Sequence, residues 1–331
     1  MIAVHFGLGN YSGKADVSKN LTSHLTFICN EICVDLEKGF NSLKSVCHAV
    51  SMLENSVYSN AGIGSCLTSQ GIVEMEAAVM DGKSRIFGGV SCIRNYQNPI
   101  KIAELLLNEQ KVYKEKGFVK PQHLSGIGAE EFAHANGLNK CDPMTLITPK
   151  SQKIYERMKE IDATLLGNQA CDTVGAVCVD KKGRISVAAS SGGTACRHEG
   201  RIGHVSQPSG SGVWVDNKSR VAACTTGLGE LLARDVTARN ICRIINQEDT
   251  ADGLNKHLIG LKDLNPTNWQ ECVGALGVQV NKNGSKRVVS CISGSKLMVA
   301  YCSIGSEPKI NVLIPSQTDV HAPVVEEWCI S

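Results

Sequence analysis

Thr173 marks the sharpest change of pattern in this chain, and the segments on either side of it restrict the folds available. From about Gly137 to Cys171 the apolar periodicity is weak. Lys150, Lys153, Glu156, Arg157, Lys159 and Glu160 make a charged stretch that reads as a helix followed by a linker. At Thr173 the texture becomes strand-like. Residues 173–180 alternate, Lys181-Lys182-Gly183 turns, and 184–190 returns as a hairpin partner. Strands near 213–215 and 221–225 precede one helix over 229–245 and another over 253–261. Three late strands, 273–280, 287–292 and 297–302, are expected to complete a second sheet. The earlier half has the same grammar. Met1-Ile2-Ala3-Val4 runs as a strand into a glycine loop, and 17–38 is helical through Leu21, Leu25, Ile28, Ile32 and Leu36, with Gly39 as its stop. Ser42 opens a second helix, strands at 72–80 and 86–92 meet across Asp81-Gly82, and a third helix follows Pro99. Two strand-led halves with helices outside predict an α+β fold, one domain of four layers with two sheets stacked between helices.

Composition excludes several function classes. Lys+Arg at 34 nearly balances Asp+Glu at 32, so there is no field to attract nucleic acid. No run approaches the ~18 apolar residues that a membrane span needs. The N-terminus lacks the charged and apolar regions of a secretory signal. Fifteen cysteines, none spaced Cys-x-x-Cys, read as small buried hydrophobes in a reducing compartment, cytoplasmic and/or nuclear. No metal site and no cofactor are expected.

The junction itself suggests chemistry. If the Asp172–Thr173 bond breaks, Thr173 carries a hydroxyl and an α-amine on one residue. An α-amine titrates near ~7.7–8.0, so roughly a tenth or more is neutral at pH 7. It can take the hydroxyl proton during attack and return it to the leaving amine. Asp172, the nearest carboxylate, is a candidate base for the self-cleavage.

Seven motifs, one of them at this junction, follow one another in a fixed order. After Asp172-Thr173-Val174-Gly175-Ala176-Val177 come Ser190-Ser191-Gly192-Gly193, Gly200-Arg201-Ile202-Gly203 and Thr225-Thr226-Gly227-Leu228-Gly229-Glu230. Earlier lie His5-Phe6-Gly7-Leu8-Gly9, Asn60-Ala61-Gly62-Ile63-Gly64 and Met80-Asp81-Gly82-Lys83. Together they resemble the asparaginase-type N-terminal-nucleophile hydrolases over nearly the whole chain. The resemblance implies an αββα sandwich whose precursor cuts itself into an α subunit (1–172) and a β subunit (173–331), an α/β heterodimer that pairs again. It implies Thr173 as nucleophile, Ser191 and Asn60 orienting it, and Thr226 with the Gly227 N–H as the oxyanion hole. Arg201 would grip a substrate carboxylate, a task suited to a bidentate fork, with His204 and Gly229 also at the substrate. Lys14 and Lys19 are candidates for a second cation.

Within the family, asparaginases and isoaspartyl peptidases are expected to hold a substrate ammonium with an Asp three residues after the arginine. Here that position is His204. The replacement suggests a substrate whose amine is already acylated, and Asp172 before the cut suggests cleavage after aspartate. Leu53-Glu54-Asn55-Ser56 and Arg197-His198-Glu199-Gly200-Arg201 also resemble the threonine aspartase (taspase) branch. The expectation is therefore a threonine endopeptidase acting on Asp–X bonds of protein substrates, among them nuclear regulatory and transcription factors. The alternative is a cytosolic isoaspartyl peptidase/L-asparaginase; a non-catalytic binding scaffold is a third reading.

Overall fold

The computed structural model describes residues 1–9, 15–112, 119–160, 173–218, 220–264, 273–315 and 322–330. Alternation along the strands builds its layers. β1 (Ile2–Gly9), β2 (Met75–Asp81), β3 (Phe87–Ile93), β4 (His123–Ser125), β5 (Val174–Val179) and β6 (Ile185–Ser191) belong to one sheet. Its strand order is β12-β11-β1-β5-β6-β2-β3-β4, where β11 is Lys296–Cys302 and β12 is Lys309–Leu313. The second sheet has the order β13-β10-β9-β8-β7. It comprises β7 (Val213–Asp216), β8 (Val221–Gly227), β9 (Val273–Val280), β10 (Lys286–Ser293) and β13 (Val324–Ile330). Pairing is antiparallel throughout except between β3 and β4.

Period-two alternation sends each strand's side chains to two different cores. In β5, Val174, Ala176 and Cys178 face the helices, whereas Val177 and Val179 face the other sheet. In β8, Ala222 and Cys224 point between the sheets and Val221 and Ala223 point outward. The outward face of the first sheet is covered by α1 (Ala15–Glu37), α2 (Ser42–Glu54) and α3 (Pro99–Lys111). Leu21, Leu25, Ile28, Ile32 and Leu36, the stripe read from the sequence, are buried there. Asn41 caps α2 by accepting from the Lys44 N–H at 2.9 Å. α4 (Gly126–Ala135) packs beside β3 and β4, and α5 (Pro149–Glu160) lies in the charged stretch. On the second sheet, α6 (Gly229–Asp235) and α7 (Thr237–Ile245) precede α8 (Thr250–Gly260), and the last two cover the outer face. The result is the expected four-layer α+β sandwich.

Two expectations need correcting. Residues 297–302 do not complete the second sheet. After a tight turn at Gly294 (φ +94°), β11 crosses to the first sheet and pairs antiparallel with β1, from Ile2 opposite Cys302 to Gly9 opposite Lys296. That pairing satisfies the edge of β1 that β5 leaves open. The helix expected over 229–245 is also broken, because Val236 adopts a left-handed conformation (φ +50°). The break is tied down by polar side chains, the Thr237 hydroxyl donating to Leu232 O and Asp235 Oδ2 and the Asn240 amide to Asp235 O. β4, α4, β12 and β13 escaped the sequence reading altogether. Cys178, Cys224 and Cys291 are fully buried free thiols, and burial pushes the Cys178 thiol up to about 12. Among the described residues, no helix is long and apolar enough to cross a membrane.

The first sheet interleaves the two sides of Thr173. β1 lies between β11 and β5, and β2 pairs with β6. Residues before and after the junction therefore share one hydrogen-bonded ladder.

Candidate active site

Alternation explains how distant motifs meet. Thr173 precedes β5 with the parity of Val177, and Ser191 ends β6 with the parity of Val187 and Ala189. Glu76 in β2 shares the parity of Ala78 and sits directly opposite Ser191. All three therefore face the space between the sheets, side by side on adjacent strands. β8 approaches from the other sheet and ends at Thr226-Gly227.

The Thr173 hydroxyl donates to Ser191 Oγ at 3.1 Å, and both residues are 3% exposed. Ser191 Oγ also accepts from the Gly193 N–H at 3.1 Å. Asn60 fastens this turn from the loop after α2. Its Nδ2 donates to Gly193 O at 2.8 Å, its Oδ1 accepts from the Cys66 N–H at 2.8 Å, and its carbonyl accepts from the Gly192 N–H at 2.6 Å. Asn60 thus holds the backbone beside the hydroxyl pair, with both ends of its amide engaged.

A small cleft opens onto Thr173. With Thr173 it is lined by Asn60, Glu76, Ser191, Gly193, Thr194, Arg201, His204, Gly227 and Gly229. Thr226 is fully buried one residue behind Gly227. Gly227 has φ +145°, a backbone region that residues with a Cβ rarely adopt, so glycine is needed to present this strand end. Arg201 makes a bidentate pair with Glu230, Nε to Oε1 at 2.7 Å and Nη2 to Oε2 at 2.8 Å. Burial pushes the Glu230 carboxyl up, but the hydrogen bonds and charge of Arg201 outweigh it and hold the group below the usual range. A second pocket shares Glu76, Gly193 and Arg201 with this cleft and is lined also by Glu74, Met75, Cys92 and Arg197.

His204 is buried, with Nε2 at 3.2 Å from Thr225 O. A carbonyl only accepts, so Nε2 carries the proton and Nδ1 is left as an acceptor. Burial lowers the imidazole pKa, keeping it neutral. Behind the cleft, His5 is fully buried on β1 opposite Gly175, and burial drives its pKa down to about 3. Its Nδ1 accepts from the Gly7 N–H at 3.2 Å.

Thr173, Ser191, Asn60, Arg201, His204, Gly227 and Gly229 are thus brought to one cleft, with Thr226 immediately behind it. Asp172, Cys171 and Lys14 lie outside the described residues. Lys19 is exposed on α1 and is not part of the cleft wall. Sequence reasoning missed Glu76. The period-two pattern of 72–80 was its signal, because it places this carboxylate on the face opposite the apolar stripe of Met75, Ala77 and Val79.

Comparison with known proteins bears on what such a cleft does. The asparaginase family model (Asparaginase_2) matches residues 1–286. Isoaspartyl peptidase/L-asparaginase of Danio rerio is 31% identical over 293 residues, covering 86% of this chain and 87% of that protein. The Xenopus laevis protein of the same name is 37% identical over 228 residues, covering 66% of this chain and 70% of its own length. Isoaspartyl peptidase of Escherichia coli is 31% identical over 260 residues, covering 74% and 77%. These similarities overturn the expectation of a threonine aspartase acting on Asp–X bonds of nuclear proteins. That expectation took a histidine at position 204 to mean a blocked substrate amine, yet the buried imidazole is uncharged and a carboxylate, Glu76, shares the cleft with it. The chain belongs to the asparaginase family of N-terminal-nucleophile hydrolases, and is therefore a hydrolase.

Proposed function

We propose that this protein is an N-terminal-threonine hydrolase of the isoaspartyl peptidase/L-asparaginase kind, releasing aspartate from β-aspartyl dipeptides and hydrolysing asparagine. The observation that carries this reading is the Thr173–Ser191 hydroxyl pair at 3.1 Å, set in the same small cleft as Arg201. The names of the relatives support the substrate class.

In this reading the chain is processed between Asp172 and Thr173 into 1–172 and 173–331, an α/β heterodimer that stays one domain. The interleaving of β1, β5, β6 and β2 supports that cohesion. The freed α-amine of Thr173 takes the hydroxyl proton as Oγ1 attacks the side-chain amide carbonyl of the substrate. The Thr226 hydroxyl and the Gly227 N–H receive the negative charge that develops on the carbonyl oxygen, and losing one such donor typically costs ~10²–10³ in rate. The amine leaving group departs with the proton from the α-ammonium, leaving an aspartyl ester on Thr173. Water, deprotonated by the same α-amine, cleaves the ester and frees aspartate. Ser191 orients the hydroxyl, Asn60 holds the Ser191–Gly193 turn, and Arg201 receives the substrate α-carboxylate.

The test is aspartate release by the processed protein from β-aspartyl-leucine and from asparagine. A processed protein with an intact Thr173 terminus that releases aspartate from neither overturns the proposal.

A further inference from the structure

If the proposed substrate class is right, the cleft has a second charge to bind. A β-aspartyl end carries a carboxylate and an ammonium on the same carbon, and Arg201 answers only the first. Two ionisable cleft residues have no place in the chemistry described so far.

The first is Glu76, 5% exposed in the lining of the cleft. Its Oε2 accepts from the Ser206 N–H at 3.2 Å and the Ser206 hydroxyl at 2.9 Å, which fixes the plane of the carboxylate. Oε1 is thereby turned toward Gly203. A Cβ at position 203 would lie 2.1 Å from Oε1 and 3.0 Å from Arg201 Nη1. The absence of a side chain there lets carboxylate and guanidinium border the same small space. The second is His204. With Nε2–H committed to Thr225 O, its Nδ1 is left as an acceptor, 3.4 Å from where a Cβ on Gly229 would stand, a point 2.6 Å from Arg201 Nη2, and Gly229 is itself part of the cleft wall. A neutral imidazole in this tautomer offers an acceptor and no positive charge to repel a cation.

We propose that Glu76 and His204 together form the site for the substrate α-ammonium, Glu76 supplying the negative charge through Oε1 and His204 Nδ1 a directional acceptor. Recognition of the free amino-acid end is then split between Arg201 on one side and this pair on the other. The cleft demands an unblocked α-amine although position 204 carries no acid.

The experiment compares β-aspartyl-leucine with its des-amino analogue, succinyl-leucine, in the processed wild-type protein and in Glu76→Gln and His204→Leu. Loss of a charge-assisted hydrogen bond predicts that Glu76→Gln lowers kcat/KM on β-aspartyl-leucine by about 10- to 100-fold, mostly through KM. On succinyl-leucine the same variant is expected to stay within about threefold of wild type. His204→Leu is expected to lose about 3- to 10-fold on the aminated substrate alone. Calorimetric binding of aspartate and succinate to the same proteins gives a readout independent of turnover: wild type prefers aspartate, and Glu76→Gln erases the preference. Equal losses on both substrates, or an unchanged aspartate preference in both variants, overturn the proposal. If Glu76→Gln is not processed, aspartate and succinate binding to His204→Leu decides alone. A wild type that turns over neither substrate but binds aspartate over succinate in a Glu76-dependent way refutes the proposed reaction and keeps the ammonium site.

Discussion

Gly192→Ala puts the most specific structural claim about the site under load, namely that Asn60 pins the turn beside Thr173. A Cβ at position 192 would stand 2.4 Å from Asn60 Oδ1, 2.5 Å from Ser65 Cβ and 2.7 Å from Ser65 Cα. Ordinary contact begins near 3.4 Å, so the methyl group is short of room by roughly 1 Å on two sides. Neither neighbour can retreat cheaply. Asn60 is held by Cys66 and Gly193 at 2.8 Å each, and Ser65 is fully buried. Overpacking of this kind costs ~1–3 kcal/mol and one strained hydrogen bond adds ~0.5–1.5 kcal/mol, for a total of about 2–4 kcal/mol. An unfolding entropy of ~2.1 cal/mol/K per residue over 331 residues converts this to a Tm loss of roughly 3–6 °C. The turn yields before the sheet does, displacing Ser191 by a good fraction of an ångström, and kcat is expected to fall about 10²-fold with a smaller change in KM. Calorimetric melting and steady-state hydrolysis of β-aspartyl-leucine measure the two effects, and the rate of self-processing gives a third readout. A variant that melts within about 1 °C of wild type and keeps kcat within about threefold would refute the claim that Asn60 fixes this turn.

Other expectations follow from the same contacts. Arg201→Lys keeps the charge but loses the fork, so KM for β-aspartyl-leucine is expected to rise about 10- to 100-fold while kcat changes little; an unchanged KM removes Arg201 from the carboxylate site. Glu230, half exposed and paired bidentate with Arg201, competes with the incoming carboxylate, so Glu230→Gln should lower KM by up to about fivefold. A raised KM would show that Glu230 instead presents the guanidinium to substrate. His5 is neutral in the fold down to about pH 3, whereas the unfolded imidazole takes up a proton below its ordinary 6.5. The unfolded state therefore binds more protons between those values, and stability falls as pH falls through that window. By pH 5 this one group accounts for about 2 kcal/mol of lost stability. Denaturant unfolding at pH 7 and pH 5 should show a smaller drop for His5→Asn than for wild type; an equal drop contradicts a neutral buried His5.

The legible parts of this molecule were those written in local periodicity. The α1 stripe from Leu21 to Leu36, the 174–191 hairpin and the glycine loops at 192–193 and 227–229 follow from spacing and turn chemistry. The four-layer arrangement follows from strands preceding helices on both sides of Thr173. Sheet membership was not legible for β11, because its pattern is the same whether it pairs with β10's neighbours or with β1; only the turn at Gly294 and the open edge of β1 decide. Val236 hid the break in 229–245, since valine at φ +50° runs against its own preference and is held there by Thr237 and Asn240. At the site, Thr173, Ser191 and Arg201 could be singled out as candidates because their motifs are contiguous, and the fold gathers them in one cleft. Glu76 could not, because it stands opposite Ser191 across a pair of strands whose paired residues lie more than a hundred positions apart in sequence. Reading His204 by residue type alone pointed to the wrong substrate. Residue type showed neither the tautomer set by Thr225 O nor the carboxylate that lines the same cleft.

The central claim is that Thr173 becomes an amino terminus, and terminal sequencing of the purified wild-type protein tests it most directly. The account predicts two fragments from the 35.4 kDa chain, the smaller beginning Thr173-Val174-Gly175, and a single unbroken chain for Thr173→Ala. A wild-type protein that remains one chain while hydrolysing β-aspartyl-leucine, or a fragment that begins at any other residue, would contradict it.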